Sequence, residues 1–286
     1  MFNRRPDATL VRDLSTMRRF MPYISPRRND SVFHMFQDVQ VDAALEFLEK
    51  KNRGREHAQR ITLFHLFLRS TAFAFVLRPG VNRFVKGGRL WQREGVYLTF
   101  SAKRSIEDGS PMITVKRRFE SETESLEEMV DGVYAKLNPQ RAGKKSTSDK
   151  EMNLMLKLPG PVIQLLLKAA NFLDYFGLLP RAMIEPDPHY ASAFLANLGS
   201  IDYPAGFHHL WERGTASIFG VVGRVETGAD GRRSMRIAWT YDERIEDGLY
   251  SYHGLEGIRE RIEQPELLEL TTAELAARPR EQGPTR

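Results

Sequence analysis

The sequence predicts an α/β fold in which a β-sheet packs against helices. Apolar residues alternate with polar or small ones from Met235 to Tyr241, which is the period of a half-buried strand. A tight turn at Asp247-Gly248 follows, and residues 249–262 have the pattern of a helix. Earlier in the chain, the segment 62–77 is apolar around most of a helical circumference, which is typical of a buried helix.

The first half of the chain alternates strands with helices. Strands are predicted at 32–41, 82–91 (with a central Gly turn), 96–102 and 112–119, and helices at 43–51, 62–77 and 126–137. Asp42, Thr62 and Ser125 precede these helices, and each can cap a helix N-terminus. Arg78-Pro79-Gly80 ends the second helix, because proline cannot continue it. A turn is expected at Glu107-Asp108-Gly109.

The second half adds a strand at 190–200, a strand at 217–224, a hairpin turn at 228–231, and the last strand and helix. With 286 residues and 41% hydrophobic content, the chain has room for one domain of about 250 residues or two small ones. We expect a single domain over residues 1–270, with a helical insertion at about 145–187 and a flexible C-terminal tail at 271–286.

The insertion is the least ordinary part of the sequence. A Lys/Ser-rich linker at 139–150 precedes an apolar segment, 152–184, which Pro159-Gly160-Pro161 divides. From 162 to 175 polar residues fall only on a narrow stripe, at Gln164, Lys168, Asn171 and Asp174. Three interpretations stay open: a helix packed on the core or in a subunit interface, a lid over an acyl-chain pocket, and a helix lying in a membrane interface.

Composition excludes several classes. The net charge is +5 and the pI about 9.4, but the basic residues are dispersed, so no nucleic-acid partner is expected. The excess of positive charge suits an anionic ligand. The chain has no cysteine, which excludes disulfides, thiol nucleophiles and cysteine-ligated metals. The N-terminus lacks the apolar core of a signal peptide, and no run of about 18 apolar residues predicts a membrane span, so we expect a cytoplasmic protein.

Two landmarks carry a resemblance to a known family. Ala196-Asn-Leu-Gly199 closes a strand, and Asp242-Glu-Arg-Ile-Glu-Asp-Gly248 lies between the last strand and the last helix. They resemble the Ser-Asn-Leu-Gly strand and the Asp-His-Arg-x-x-Asp-Gly signature of the acyltransferase catalytic domains of 2-oxo acid dehydrogenase complexes and of chloramphenicol acetyltransferase. The resemblance covers about residues 10–270, interrupted by the insertion.

The resemblance implies a chloramphenicol acetyltransferase-like mixed sheet sandwiched with helices, built into a homotrimer with active sites between subunits. It implies coenzyme A or an acyl-CoA as substrate and no covalently bound cofactor. In that family a histidine removes the proton from a thiol or hydroxyl that attacks a thioester carbonyl, and a serine of the neighbouring subunit hydrogen-bonds the oxyanion. Position by position, the histidine corresponds to Glu243, the serine to Ala196 and a loop-ordering aspartate to Asp247. The segment Met17-Arg18-Arg19 resembles a helix of the family, and Arg18 or Arg19 is expected to pair with Asp247.

Glu243 is therefore a candidate catalytic residue. Its ordinary pKa of about 4.3 makes a carboxylate a weak base for a thiol with a pKa near 8.5. Crowding by Asp242, Glu246 and Asp247, together with burial, would raise the pKa of Glu243, and Arg244 would lower it. Two interpretations of Glu243 remain open: a catalytic base and a solvated carboxylate at a turn. Asp242 and Arg244 are expected to order the site.

Phe207-His208-His209 falls close to a strand that enters the active-site channel in that family. Because adjacent strand residues point to opposite faces, at most one of His208 and His209 would face the channel. Two interpretations of such an imidazole are open. It would transfer the proton, with Glu243 orienting it across a subunit boundary, or it would be a structural residue. Ser200 would replace the missing serine if Gly199 bends the chain, with Asn197 beside it.

The remaining histidines considered, His34, His65, His189 and His253, are interpreted as structural, and no metal site is predicted. The sequence thus favours an acyltransferase-like protein that transfers or binds an acyl group carried as a CoA thioester at a subunit interface. One alternative is a catalytically inactive trimeric binding or scaffold protein of the same fold. The other is a lipid-facing protein that uses the inserted helix.

Overall fold

The computed structural model describes residues 3–103, 107, 109–144 and 146–277, without the side chain of Thr147. Asp108 of the expected turn and residues 278–286 of the expected tail lie outside the described residues. The β-strands are β1 (Ala8–Leu10), β2 (Val32–Gln40), β3 (Arg83–Lys86), β4 (Arg89–Arg93), β5 (Val96–Lys103), β6 (Met112–Phe119), β7 (Ala193–Asn197), β8 (Ile218–Thr227) and β9 (Arg233–Asp242).

The helices are likewise numbered in the order in which they occur along the chain. They are α1 (Thr16–Ile24), α2 (Asp42–Lys51), α3 (Leu63–Leu77), α4 (Leu126–Arg141), α5 (Thr147–Met155), α6 (Gly160–Tyr175), α7 (Arg181–Ile184), α8 (Gly248–Glu263) and α9 (Thr272–Ala277). The start of the expected tail therefore belongs to a short helix, whose Thr272 is buried and donates its backbone N–H to Ser121 O.

The strands form two sheets. The larger has the order β2-β9-β8-β7-β5-β6, and the smaller has the order β1-β4-β3. In the larger sheet β7 runs parallel to both β5 and β8, whereas the outer pairings are antiparallel. The predicted mixed α/β architecture is confirmed, and the parallel trio brings the carboxyl ends of β5, β7 and β8 to one edge.

One face of the larger sheet carries the main core. Leu98, Leu195, Ile237 and Trp239 point to this face, where α2, α3, α4 and α8 cover them. The segment His57–Leu77 is long and apolar enough to cross a membrane, but 67% of its most apolar window is buried inside the fold. It thus has the burial of a core helix, as its all-round apolar pattern predicts.

The opposite face of the same sheet is covered by irregular chain. Phe194, Phe219, Val221 and Ala238 form a second apolar cluster there, and Leu210 packs on it from the segment before β8. Alternation along β7, β8 and β9 thus divides each strand between a helix-covered face and a loop-covered face.

The insertion folds into helices but does not pack as a core helix would. The expected linker at 139–150 is short, because α4 extends to Arg141 and Ser146 starts α5 with a reciprocal capping box to Asp149. In α6 the buried residue is Asp174, and the apolar residues are largely exposed: Leu165 is 66% and Phe172 62% exposed.

Asp174 attaches α6 to the smaller sheet. Its carboxylate lies 2.8 Å from Arg5 Nη1 and 2.8 Å from Lys86 Nζ, and accepts a hydrogen bond of 2.9 Å from the Tyr190 hydroxyl. Burial acts to raise the pKa of Asp174, but Lys86 and Arg5 outweigh it and lower the pKa. An ionised carboxylate with three partners therefore holds this helix in place.

His65 is expected to make stability depend on pH. Its Nδ1 accepts the Thr62 N–H in the capping box of α3, and burial, with a smaller effect of the Arg141 charge, lowers the pKa of His65 from 6.5 to about 4. The unfolded chain binds this proton more readily, so the stabilising effect is complete above pH 6.5 and is lost as pH falls toward 4.

Urea unfolding at pH 7.5 and pH 5 measures this loss. The wild type should lose about 2 kcal/mol more between these pH values than His65→Gln does. The exposed His57 offers a matched control, and His57→Gln should behave as the wild type. Equal losses in the wild type and His65→Gln would contradict the assignment.

Candidate functional site

A cavity of about 1040 Å³ opens at the edge where β5, β7 and β8 end. Its walls come from three strand ends, the start of α3, the last turns of α4 and the first turns of α5. The insertion contributes at both of its ends, because the cavity is also lined by Met152 of α5 and by Glu185, Pro186, Pro188 and His189. Its volume suits a ligand of substrate size.

The Asn197–Ser200 landmark forms one rim of this cavity. The chain leaves β7 and turns at Gly199–Ile201, where Asn197 Oδ1 accepts the Ser200 N–H (3.1 Å) and Ser200 Oγ donates to Asn197 O (2.9 Å). A Cβ at Gly199 would lie 2.4 Å from Gly223 O, so the close crossing of β8 requires glycine. Ala196 and Ser200 both line the cavity, as expected if Gly199 redirects the chain.

His208 also lines the cavity. Its imidazole stacks on Phe219 of β8, with ring centroids 4.1 Å apart, and its Nδ1 lies 2.7 Å from His209 O. A carbonyl oxygen can only accept, so Nδ1 carries the proton. In the neutral ring Nε2 is then the basic nitrogen, and no described residue donates a hydrogen bond to it.

His209 departs from the expected strand geometry. The segment before β8 is not part of the sheet, and the rings of His208 and His209 stack with centroids 4.4 Å apart instead of pointing to opposite faces. Without ladder hydrogen bonds the backbone is free to leave the two-residue period. His209 is exposed and also contacts Trp211, edge to face.

Asp187 and His189 are a pair that the sequence analysis missed. His189 was interpreted as structural, yet it lines the cavity and its Nδ1 lies 2.8 Å from Asp187 Oδ1. Arg213 binds the other carboxylate oxygen at 2.8 Å. Pro186-Asp187-Pro188-His189 was the available signal, because an aspartate between prolines commonly bonds groups two residues later.

The acidic corner lies elsewhere. Asp242 is fully buried and forms a two-pronged ion pair with Arg244, with Nε–Oδ1 and Nη2–Oδ2 distances of 2.8 Å, and Arg28 approaches to 3.8 Å. Arg244 Nη1 also donates to Ser25 O and Pro26 O. These contacts join the end of β9 to the chain before β2, so Asp242 and Arg244 order this corner.

Glu243 is exposed, and its carboxylate makes no hydrogen bond to a described residue. Its backbone N–H donates to Ser31 O, which holds the turn. Asp247 caps α8 by accepting the Tyr250 N–H at 2.8 Å. Arg18 reaches this corner, but it pairs with Glu246 at 3.5 Å rather than with Asp247.

The sheet register separates the corner from the cavity. Ala196 pairs with Val221, and Val221 pairs with Ala238, five residues before Glu243. At about 3.4 Å per residue, Glu243 lies roughly 17 Å farther along the strand direction. Within one subunit, Glu243 therefore cannot act on a group bound beside Ala196.

No group of His, Asp and Glu among the described residues is arranged to hold a metal ion. His208 and His189 line the cavity with Trp211 near both, with ring centroids 5.8 Å and 5.4 Å from the indole. Lys103, Lys136 and Arg141 add positive charge to its walls, whereas burial lowers the pKa of Lys116 to about 7.

No protein-family model matches the chain, and no curated protein matches it. Solved structures do. A dihydrolipoamide acetyltransferase of Azotobacter vinelandii is similar over 92% of this chain and 95% of its own, with 13% identity and a TM-score of 0.59. A probable dihydrolipoamide acetyltransferase of Listeria monocytogenes is similar over 89% and 94%, with 12% identity and a TM-score of 0.57.

A chloramphenicol acetyltransferase is similar over 90% of this chain and 98% of its own, with 13% identity and a TM-score of 0.51. The chain has the chloramphenicol acetyltransferase-like fold. The resemblance seen in two short landmarks thus extends to the whole architecture, at a sequence identity where few other residues coincide. For the Azotobacter enzyme, a serine, a histidine and an asparagine are the residues whose role in catalysis was investigated.

Removing one partner of the Asp242–Arg244 pair should destabilise the fold. Both side chains are at most 2% exposed, so Arg244→Ala leaves a buried carboxylate and should lower the free energy of unfolding by about 3–5 kcal/mol. Glu243→Ala, at the exposed neighbour, should change it by less than about 0.5 kcal/mol. Chemical unfolding of both variants measures these changes. Equal free energies of unfolding in the two variants would show that the ion pair is not required.

Proposed function

We propose that this protein is an acyltransferase that takes an acyl group from a coenzyme A thioester in the cavity at the ends of β5, β7 and β8. His208 is its general base. The observation that carries the proposal is the Nδ1–H···O bond to His209, because it leaves Nε2 of a cavity-lining imidazole as the proton acceptor. The shared fold of acetyltransferases supports the same reaction class.

The chemistry follows from an imidazole and a thioester. His208 Nε2 removes the proton of a hydroxyl, thiol or amine acceptor as its heteroatom bonds to the thioester carbonyl carbon. The tetrahedral intermediate collapses, the carbon–sulfur bond breaks, and the imidazolium returns the proton to the leaving thiolate. The products are the acylated acceptor and free coenzyme A, and His208 returns to its neutral form.

Two features support a coenzyme A ligand. The cationic side chains of Lys103, Lys136 and Arg141 suit the phosphates of the cofactor, and apolar residues such as Phe64, Phe100 and Leu137 suit an acyl chain. Ala196 supplies no hydroxyl for the oxyanion. Ser200 lies on the same rim, with its Oγ donating to Asn197 O, so a change of rotamer would free that hydroxyl.

A homotrimer is part of this proposal. The corner that carries Glu243 lies roughly 17 Å along the strands from Ala196, so it reaches the cavity only when a neighbouring subunit presents it. Exposed apolar side chains of α1, at Met17, Phe20 and Tyr23, offer surface for such contacts. In the trimer, Glu243 of one subunit would lie at the cavity of the next without orienting His208, because the His209 carbonyl already holds its Nδ1–H.

Substitution of His208 tests the assignment. With an acyl-CoA and thiol, amine or alcohol acceptors, His208→Gln should reduce formation of the acylated acceptor about 10²–10⁴-fold, the usual contribution of a general base. Glu243→Gln should retain most of the wild-type rate. A loss confined to Glu243→Gln would instead identify the carboxylate as the base.

The catalytically inactive alternative predicts a different result, which thermal unfolding with coenzyme A measures alongside the transfer assay. Glu243 and Ala196 occupy the positions where the family has its base and its oxyanion donor. A protein that only binds its ligand needs neither of those groups. Coenzyme A that raises the thermal unfolding temperature of the wild type without any turnover would establish that function in place of the proposed one.

A lipid-facing role is a second candidate, favoured by α6. Val162, Leu165, Leu166, Phe172 and Leu173 recur at helical spacing on its exposed side, away from buried Asp174. Four exposed cations accompany this surface: Lys150, Lys157, Lys168 and Arg181. This combination suits an anionic membrane surface.

Co-sedimentation with anionic liposomes tests the role of α6. The wild type should sediment with them, whereas Leu165→Glu with Phe172→Glu should stay in solution, because charge opposes burial of the apolar side. Gln164→Glu, on the polar stripe, is the matched control and should leave binding intact. If the double variant instead lowers the molar mass measured by light scattering, α6 is a subunit contact.

A further inference from the structure

The insertion ends at a second imidazole with its own carboxylate. Asp187 Oδ1 accepts hydrogen bonds from His189 Nδ1 (2.8 Å) and from the His189 backbone N–H (2.9 Å). Arg213 donates to Asp187 Oδ2 from Nε (3.1 Å) and Nη2 (2.8 Å). All acceptor positions used here belong to one carboxylate, so its orientation is fixed from both sides.

The charge of this carboxylate fixes the tautomer of the ring. Burial acts to raise the pKa of Asp187, but the hydrogen bonds from His189 and the Arg213 charge outweigh it and hold the pKa at about 2. The carboxylate is therefore an acceptor only, and Nδ1 of His189 carries the proton. Nε2 is left with its lone pair in the neutral ring, and no described residue donates to it.

The ring is more than a support for the turn. The backbone N–H of His189 bonds Asp187 Oδ1 whatever the side chain is, and Thr215 N–H binds His189 O at 2.9 Å. Lys116 Nζ holds the same turn by donating to Ile184 O (2.9 Å) and Asp187 O (3.1 Å). These bonds place the imidazole, with its side chain 26% exposed, in the cavity wall against Trp211.

We propose that Asp187 and His189 form a second catalytic pair that hydrolyses acyl esters and thioesters in this cavity. An imidazole whose Nδ1–H is held by a carboxylate is oriented to act through Nε2 as a general base. His189 is the catalytic residue, and Asp187 is a positioning residue. Both come from the end of the insertion, so the pair acts within one subunit and needs neither Glu243 nor coenzyme A.

The reaction balances with water as the co-substrate. Nε2 of His189 takes a proton from water while the water oxygen bonds to the acyl carbonyl carbon. The tetrahedral intermediate then breaks its carbon–oxygen or carbon–sulfur bond, and the imidazolium protonates the leaving alkoxide or thiolate. The products are a carboxylic acid and an alcohol or thiol, and His189 returns to its neutral form.

Hydrolysis of p-nitrophenyl esters of acetate, butyrate and octanoate tests this pair without coenzyme A. His189→Gln should reduce kcat about 10²–10⁴-fold, and Asp187→Asn should reduce kcat with little change in KM, because the amide no longer selects the Nδ1–H tautomer. His253→Gln, on the exposed side of α8, should match the wild type. Thermal unfolding identifies any variant that has lost its fold.

A second measurement separates catalysis from support of the turn. Nitrogen-15 chemical shifts of the His189 ring should show the Nδ1–H tautomer in the wild type and lose it in Asp187→Asn. A wild type that hydrolyses none of the esters, an unchanged rate in His189→Gln, or an Nε2–H tautomer would each overturn the inference. Failure to form an acylated acceptor from acyl-CoA would overturn only the proposed transferase, because hydrolysis of these esters needs neither an acceptor nor coenzyme A.

Discussion

The antiparallel pairing of β8 with β9 determines where chemistry can occur in this subunit. β8 ends at the cavity, so β9, running the other way, carries its last residues to the opposite edge of the sheet. The carboxylates after β9 and the turn after β7 are therefore far apart, although both are landmarks of the same fold. Any reaction that uses both edges needs two subunits, whereas His189 and His208 lie in the wall of one subunit's cavity.

The acidic corner is better explained by structure than by reactivity. Asp242 is fully buried and bonded by Arg244, which also binds backbone carbonyls before β2. Asp247 satisfies a helix N-terminus, and Glu246 pairs with Arg18. Each of these carboxylates has a partner that fixes the chain, whereas the exposed Glu243 carboxylate makes no hydrogen bond to a described residue. The proposed chemistry accordingly rests on imidazoles at the other edge.

The insertion reverses the usual rule of burial. In α6 an aspartate is buried and leucines are exposed, because Arg5, Lys86 and Tyr190 satisfy the carboxylate from three elements. The helix is thus attached by polar contacts and keeps an apolar side available. At its two ends the same insertion lines the cavity and supplies Asp187 and His189, so it both extends the fold and adds to the site.

The sequence by itself determined most of the strands, the main helices and the caps Thr62 and Ser125. It missed β1, and the prediction that Asp42 caps α2 was wrong, because the Asp42 carboxylate instead binds Arg233. Thr62, Ser125 and Asp247 act on groups within three residues, and Gly199 permits a turn that local chemistry demands. Capping by Thr62 and Ser125 could be predicted because these contacts are short in sequence. The mixed α/β class could be predicted because the periods of strands and helices are visible in the sequence. The Asp187–His189 pair is also local, and its Pro-Asp-Pro-His signal was there to be used.

Only the tertiary structure decided which residues share a cavity. The Arg5–Asp174 contact joins residues 169 positions apart, and the sheet register places Ala196 beside Val221 and away from Glu243. The position of His208 depends on its stacking against Phe219 rather than on a strand. Such contacts depend on how strands align and how loops cross them, and a side chain's neighbours in sequence carry no information about that alignment.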